Sequence, residues 1–121
     1  MLLFPKRRIL SIFLFYFKYK ILFKEMKPET IQTLHPDKDK TNKKIALEKY
    51  LVIRNVILEI LNESEPTQME LMEAIHERIK GNFDGNAQWY GETVKLDLEA
   101  RELIKRTKSK PVRYLKEHKS P

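Results

Sequence analysis

The chain has 121 residues, 41% of them hydrophobic and 34% charged, with a net charge of +7. A chain of this length suits one domain, and the apolar content excludes disorder throughout. The absence of cysteine excludes a disulfide framework and a thiolate metal site and fits a reducing cytoplasm.

The charge is unevenly placed. Residues 1–26 hold six Lys/Arg and one Glu, so they carry most of the net positive charge. Residues 62–102 hold four basic and ten acidic side chains, whereas residues 103–121 hold seven basic and one acidic. The basic end of the expected domain is therefore its C-terminus, which is where a polyanion would be met.

Residues 1–26 form a hydrophobic and basic segment, with an apolar run from Ile9 to Phe17 followed by Lys18 and Lys20. That run is shorter than the roughly 20 apolar residues of a membrane-spanning helix, and no small-residue cleavage site follows it. Three readings stand: an extension translated from a misplaced start ahead of Met26, a helix lying on a membrane surface, or a helix docked on the domain.

Residues 27–43 contain Pro28, Pro36 and the string Leu34-His35-Pro36-Asp37 and show no periodicity, so they are expected to be an extended arm. From about Lys44 to Leu61, Tyr50, Ile53, Ile57, Ile60 and Leu61 recur at three- and four-residue spacing, which marks one face of a first helix. Asn62 to Pro66 stops it, and Thr67 with Glu70 makes a capping box for a second helix. That helix turns Leu71, Met72, Ile75 and Ile79 inward and ends at Gly81.

A turn over residues 82–86, anchored by Phe83, leads to a third helix from Ala87 to Ala100, with Val94, Leu98 and either Trp89 or Tyr90 in the core. Of the two aromatics, Trp89 is the preferred core anchor, and its truncation is expected to cost roughly 3–5 kcal/mol. Leu103 to Thr107 and Val112 to Leu115 read as the strands of a hairpin. The expected fold is mainly α with a small β-hairpin: a winged helix-turn-helix over residues 44–116, preceded by the arm and followed by a tail, 117–121.

Residues 30–115 resemble a family of small uncharacterised bacterial winged-helix proteins. The resemblance is carried by Leu34-His35-Pro36-Asp37, Lys49-Tyr50, His76-Glu77-Arg78, Trp89-Tyr90, the run Thr93 to Arg101, and Leu103-Ile104. Many winged-helix proteins place Gly just before that last apolar pair, whereas this chain has Glu102, so either the boundary sits a residue away or mild strain is expected there. The resemblance implies a fold and no assigned activity, and double-stranded DNA enters as a partner by analogy with the wider superfamily.

For DNA, the third helix would offer Gln88, Glu92 or Lys95 to base edges, Tyr90 would stack or pack, and Lys105, Arg106, Lys108, Lys110 and Arg113 of the wing would hold phosphates. Asp84, Glu92, Asp97 and Glu99 oppose this, since carboxylates repel phosphates. The alternative is a protein-interaction adaptor or homodimer, with the first helix as interface and the wing merely solvated.

His35-Pro36-Asp37 also resembles the J-domain co-chaperone tripeptide. Met26 to Thr33 includes Pro28 and is too short for that domain's preceding helix pair, so Pro36 is expected to stiffen the arm while His35 and Asp37 tie down backbone groups. No His/Asp pair shows metal-ligand spacing, and no phosphate-binding glycine loop or nucleophile elbow occurs. Neither an enzyme nor a cofactor is expected.

Overall fold

The computed structural model describes residues 29–117. Residues 1–28, and with them the three readings of the N-terminal segment, lie outside the described residues. The order of elements is β1 (Thr30–Gln32), β2 (Lys44–Ala46), α1 (Leu47–Glu63), α2 (Gln68–Ile79), α3 (Ala87–Ala100), β3 (Ile104–Arg106) and β4 (Tyr114–Lys116). Among the described residues, no helix is long and apolar enough to cross a membrane.

Three helices and two antiparallel hairpins make a mainly α domain. The core is built by the apolar stripes read from the sequence. Tyr50, Ile53, Ile57, Ile60 and Leu61 of α1 meet Leu71, Met72, Ile75 and Ile79 of α2 and Val94 and Leu98 of α3, all buried. Ile45, Ile104 and Tyr114 close the core from the two hairpins.

Local chemistry sets the helix ends. The Thr67 hydroxyl accepts from the Glu70 backbone N–H at 3.3 Å, and the Glu70 carboxylate accepts from the Thr67 N–H at 2.9 Å. These reciprocal bonds complete the expected capping box and hold the Glu70 carboxyl below its ordinary pKa. α2 stops at Ile79, where Gly81 takes a φ of 83° and the Asn82 N–H reaches the Ile79 carbonyl at 3.0 Å. The Asn86 side chain starts α3 by accepting from the Trp89 N–H at 2.8 Å.

At the other end of α3, the Glu102 N–H bonds Glu99 O at 3.0 Å and the Leu103 N–H bonds Leu98 O at 2.9 Å. This is a Schellman termination whose left-handed position is filled by Glu102, at φ 61°. The strain anticipated from the missing glycine is located at that residue.

Two expectations are corrected. Lys44 to Ala46 do not begin the first helix; they pair with Thr30 to Gln32, with Ile31 opposite Ile45. Residues 30–32, expected within an extended arm, are thus the partner strand of a hairpin, and its loop closes where the Thr33 N–H meets Lys43 O at 3.0 Å. The C-terminal strands fall at 104–106 and 114–116, paired with Lys105 opposite Leu115. A single antiparallel bridge joins Thr67 to Arg113, and the Tyr114 N–H bonds Pro66 O at 2.9 Å, so the α1–α2 connection lies along the outer side of β4.

Candidate interaction surfaces

α3 lies between the other elements, and its charged residues reach in two directions. Lys95 and Glu99 are four residues apart and share one side of the helix; Asp97 and Arg101 share the opposite one. Lys95 is 2% exposed. Its ammonium donates to Gln68 Oε1 at 2.7 Å and to the Tyr114 hydroxyl at 3.2 Å, with Glu92 Oε1 at 3.1 Å and the Tyr114 ring centroid at 4.7 Å. It therefore ties α3 to the start of α2 and to β4.

Glu99, whose side chain is 7% exposed, receives Arg106 Nε at 3.1 Å and fastens β3 in the same way. On the opposite side, Asp97 is fully buried. Its carboxylate accepts from the Leu34 backbone N–H at 2.8 Å, from the Tyr50 hydroxyl and from Arg101 Nε at 2.8 Å. Burial and the hydrogen bond to Asp97 push the Tyr50 hydroxyl up to a pKa of about 12.

The loop from 33 to 43 is held against α3 by this carboxylate and by Asn42, whose side-chain N–H groups donate to Leu34 O at 2.8 Å and Thr93 O at 3.0 Å. Within the loop, His35 Nδ1 accepts from the Asp37 N–H at 2.9 Å, and Asp37 Oδ1 accepts from the Asp39 N–H at 3.0 Å. The tripeptide ties down backbone groups, as its sequence suggested.

Of the residues expected at a DNA surface, Gln88, Tyr90 and Lys95 lie on α3, and Lys105, Arg106, Lys108, Lys110 and Arg113 lie on the β3–β4 hairpin. Lys95 is corrected from a groove-facing residue to a buried one. Gln88 is exposed at the start of α3. Tyr90 is half-buried, edge-on to Phe83 with centroids 5.2 Å apart, and its hydroxyl lies 3.4 Å from Lys49 Nζ. Gly85 makes room for this cluster at φ 148°, since a Cβ there would stand 2.6 Å from the Tyr90 ring and 2.9 Å from Phe83.

On the β3–β4 hairpin, Lys105 lies 3.8 Å from Glu117, and Arg113 donates to Glu65 O at 2.8 Å and lies 3.4 Å from Glu70. Lys108 and Lys110 are exposed, with no ion pair to another described residue. Trp89 is also corrected: it is 44% exposed and leans edge-on against Tyr90, which takes the inner position instead.

A second surface was not anticipated. Along the outer side of α2, a groove of about 1230 Å³ runs between the helix and residues 81–88. Met69, 71% exposed, and Met72 lie on its helix wall, with Glu73 and His76 beside them, while Phe83 and Ala87 form the facing wall. Met69 was visible in the sequence as an apolar residue off the core-facing stripe of α2, but a groove needs the facing turn, which lies more than ten residues away in the chain. Among the described residues, no group of three or more His, Asp or Glu could hold a metal ion.

Fold and surfaces define a small, mainly α domain with two antiparallel hairpins. The chain belongs to a family of unknown function, DUF6958, whose model matches residues 30–114. No curated protein and no solved structure matches the chain.

Proposed function

We propose that residues 44–116 are a winged helix-turn-helix that serves as a protein-binding module, with β3–β4 as the wing. The order helix, helix, helix, hairpin supports the architecture, as does the Thr67–Arg113 bridge that lays the α1–α2 connection against the wing. The lack of cysteine supports action in a reducing cytoplasm.

The observation that carries the reading is the covering of α3. Every residue from Tyr90 to Ala100 is buried or half-buried. A helix that reads a major groove needs free side chains along one side. Here Lys95 is turned into the core, Glu99 is nearly covered and engaged by Arg106, and the partly exposed Glu92 is engaged by Lys95. Residues 29–117 hold sixteen Lys/Arg and sixteen Asp/Glu, so the domain has no net charge to draw it to a polyanion.

Duplex DNA held by the wing is the second reading, favoured by the exposed Lys108 and Lys110. A low-salt titration of labelled mixed-sequence duplex separates the two. The protein-binding reading expects no saturable binding at micromolar protein. Saturable binding that weakens steeply with salt and disappears in Lys108→Ala/Lys110→Ala overturns it and installs the wing as a phosphate clamp. In parallel, cross-linking in nuclease-treated native extract is expected to give defined protein adducts on the domain.

A further inference from the structure

We infer that the groove along α2 receives an amphipathic helix of a partner protein whose apolar anchors are flanked by lysine or arginine. This rests on the protein-binding reading and names the partner's chemistry. α2 has twelve residues, a wall about 18 Å long at 1.5 Å per residue, and three turns of a partner helix would lie alongside it.

Met69, Met72, Glu73, His76 and Lys80 recur at three- and four-residue intervals on one wall, and Phe83 and Ala87 oppose them. Methionine adapts its shape to an incoming side chain, and Met69 is far more exposed than any other large apolar residue described. The groove thus has an apolar floor open to solvent, which suits the recognition of helical anchors at i, i+3 and i+4.

Charge selects the partner. The helix and its flanking loops, residues 64–86, carry five carboxylates, Glu65, Glu70, Glu73, Glu77 and Asp84, against Arg78 and Lys80; Glu70 is engaged by Arg113 at 3.4 Å, and Glu73 and Glu77 line the groove itself. Arg78 is drawn away to Glu59 and Glu63 on α1, and Lys80 is paired with Glu77 at 2.8 Å. Glu73 stands in the groove wall with no ion pair to another described residue. A basic rim on the partner would complement this field, whereas an acidic one would meet like charge at close range.

The test uses the full chain, isotope-labelled at methionine methyl groups, and two synthetic amphipathic helices with the same leucine spacing, one flanked by lysines and one by glutamates. The lysine peptide is expected to shift the Met69 and Met72 signals saturably. Its affinity should fall roughly tenfold in Glu73→Lys/Glu77→Lys, an ordinary loss for reversing charges at an interface rim, and fall also with added salt. Met69→Glu should weaken it without altering the melting temperature, because that side chain is exposed.

Equal binding of the glutamate peptide, or lysine-peptide shifts confined to residues outside the groove, would overturn the inference. So would the absence of saturable shifts. If the groove fails in this way while cross-linked partners map to α1 or another face, protein binding survives. If salt-dependent duplex binding through the wing appears, the underlying reading fails instead.

Discussion

The two hairpins have strands of equal length, yet α3 fixes them by opposite chemistry. On the side of β1–β2, a buried acceptor, Asp97, gathers donors from the loop, from α1 and from its own helix. On the side of β3–β4, a buried donor, Lys95, reaches Gln68 and Tyr114, while Glu99 captures Arg106. The first hairpin's loop is drawn onto α3; the second is held at its base and leaves Lys108 and Lys110 in solvent at its tip. Charged residues on a central helix here act as struts, and the charges open to a partner lie elsewhere.

The largest effect should come from the acceptor side. Asp97→Ala leaves the Leu34 N–H, the Tyr50 hydroxyl and Arg101 without their shared partner, and a loss of about 3–5 kcal/mol in urea unfolding is expected. A change below about 0.5 kcal/mol would mean that the first hairpin's loop is not held by this carboxylate. Lys95→Ala should lose about 2–3 kcal/mol, less because Glu92 is partly solvated and can find water. Lys95→Met should recover much of that by filling the same volume. Were Lys95 a groove-facing residue, both substitutions would fall within about 0.5 kcal/mol of the parent.

The comparison also has a pH signature. The hydroxyl of Tyr50 is raised from 10.0 to about 12 in the folded chain. Below pH 10 it is protonated in both folded and unfolded chains; between pH 10 and about 12 only the unfolded chain releases the proton. Stability should therefore fall across that window, and Tyr50→Phe should flatten the fall in a series of alkaline denaturation curves.

The parts of this fold that were legible in the sequence are those decided within a few residues. Thr67 and Glu70 face each other across one turn, Gly81 supplies its own positive φ, and the stripe from Tyr50 to Leu61 declares its face by spacing alone. Lys44 to Ala46 were read as helix because their strand partner is Thr30 to Gln32, across a loop that no local pattern can see. The burial of Lys95 and Asp97 is hidden from periodicity, which treats a charge as a marker of solvent, because their partners come from distant elements.

Trp89 and Tyr90 show how narrow the margin is. Adjacent helical positions differ by about 100°, and rotation of α3 by that amount exchanges which ring is covered. With Trp89 44% exposed, Trp89→Ala should lose about 1–2 kcal/mol, short of the cost of a core tryptophan. A loss of 3 kcal/mol or more in thermal unfolding would restore the tryptophan to the core and put the orientation of α3 in question.

The smallest effect expected is a gain, at the point where α3 hands the chain to the second hairpin. Glu102 occupies the left-handed position of the Schellman turn at φ 61°, where a Cβ crowds the backbone and glycine does not. Glu102→Gly should raise stability by about 0.5–1 kcal/mol, and Glu102→Ala should not, because alanine keeps the Cβ while discarding the carboxylate. The pair of substitutions thus separates backbone strain from whatever the side chain contributes. Equal shifts in both would place the cost of this turn in the Glu102 carboxylate; a gain confined to glycine places it in the backbone that sets the angle between α3 and β3.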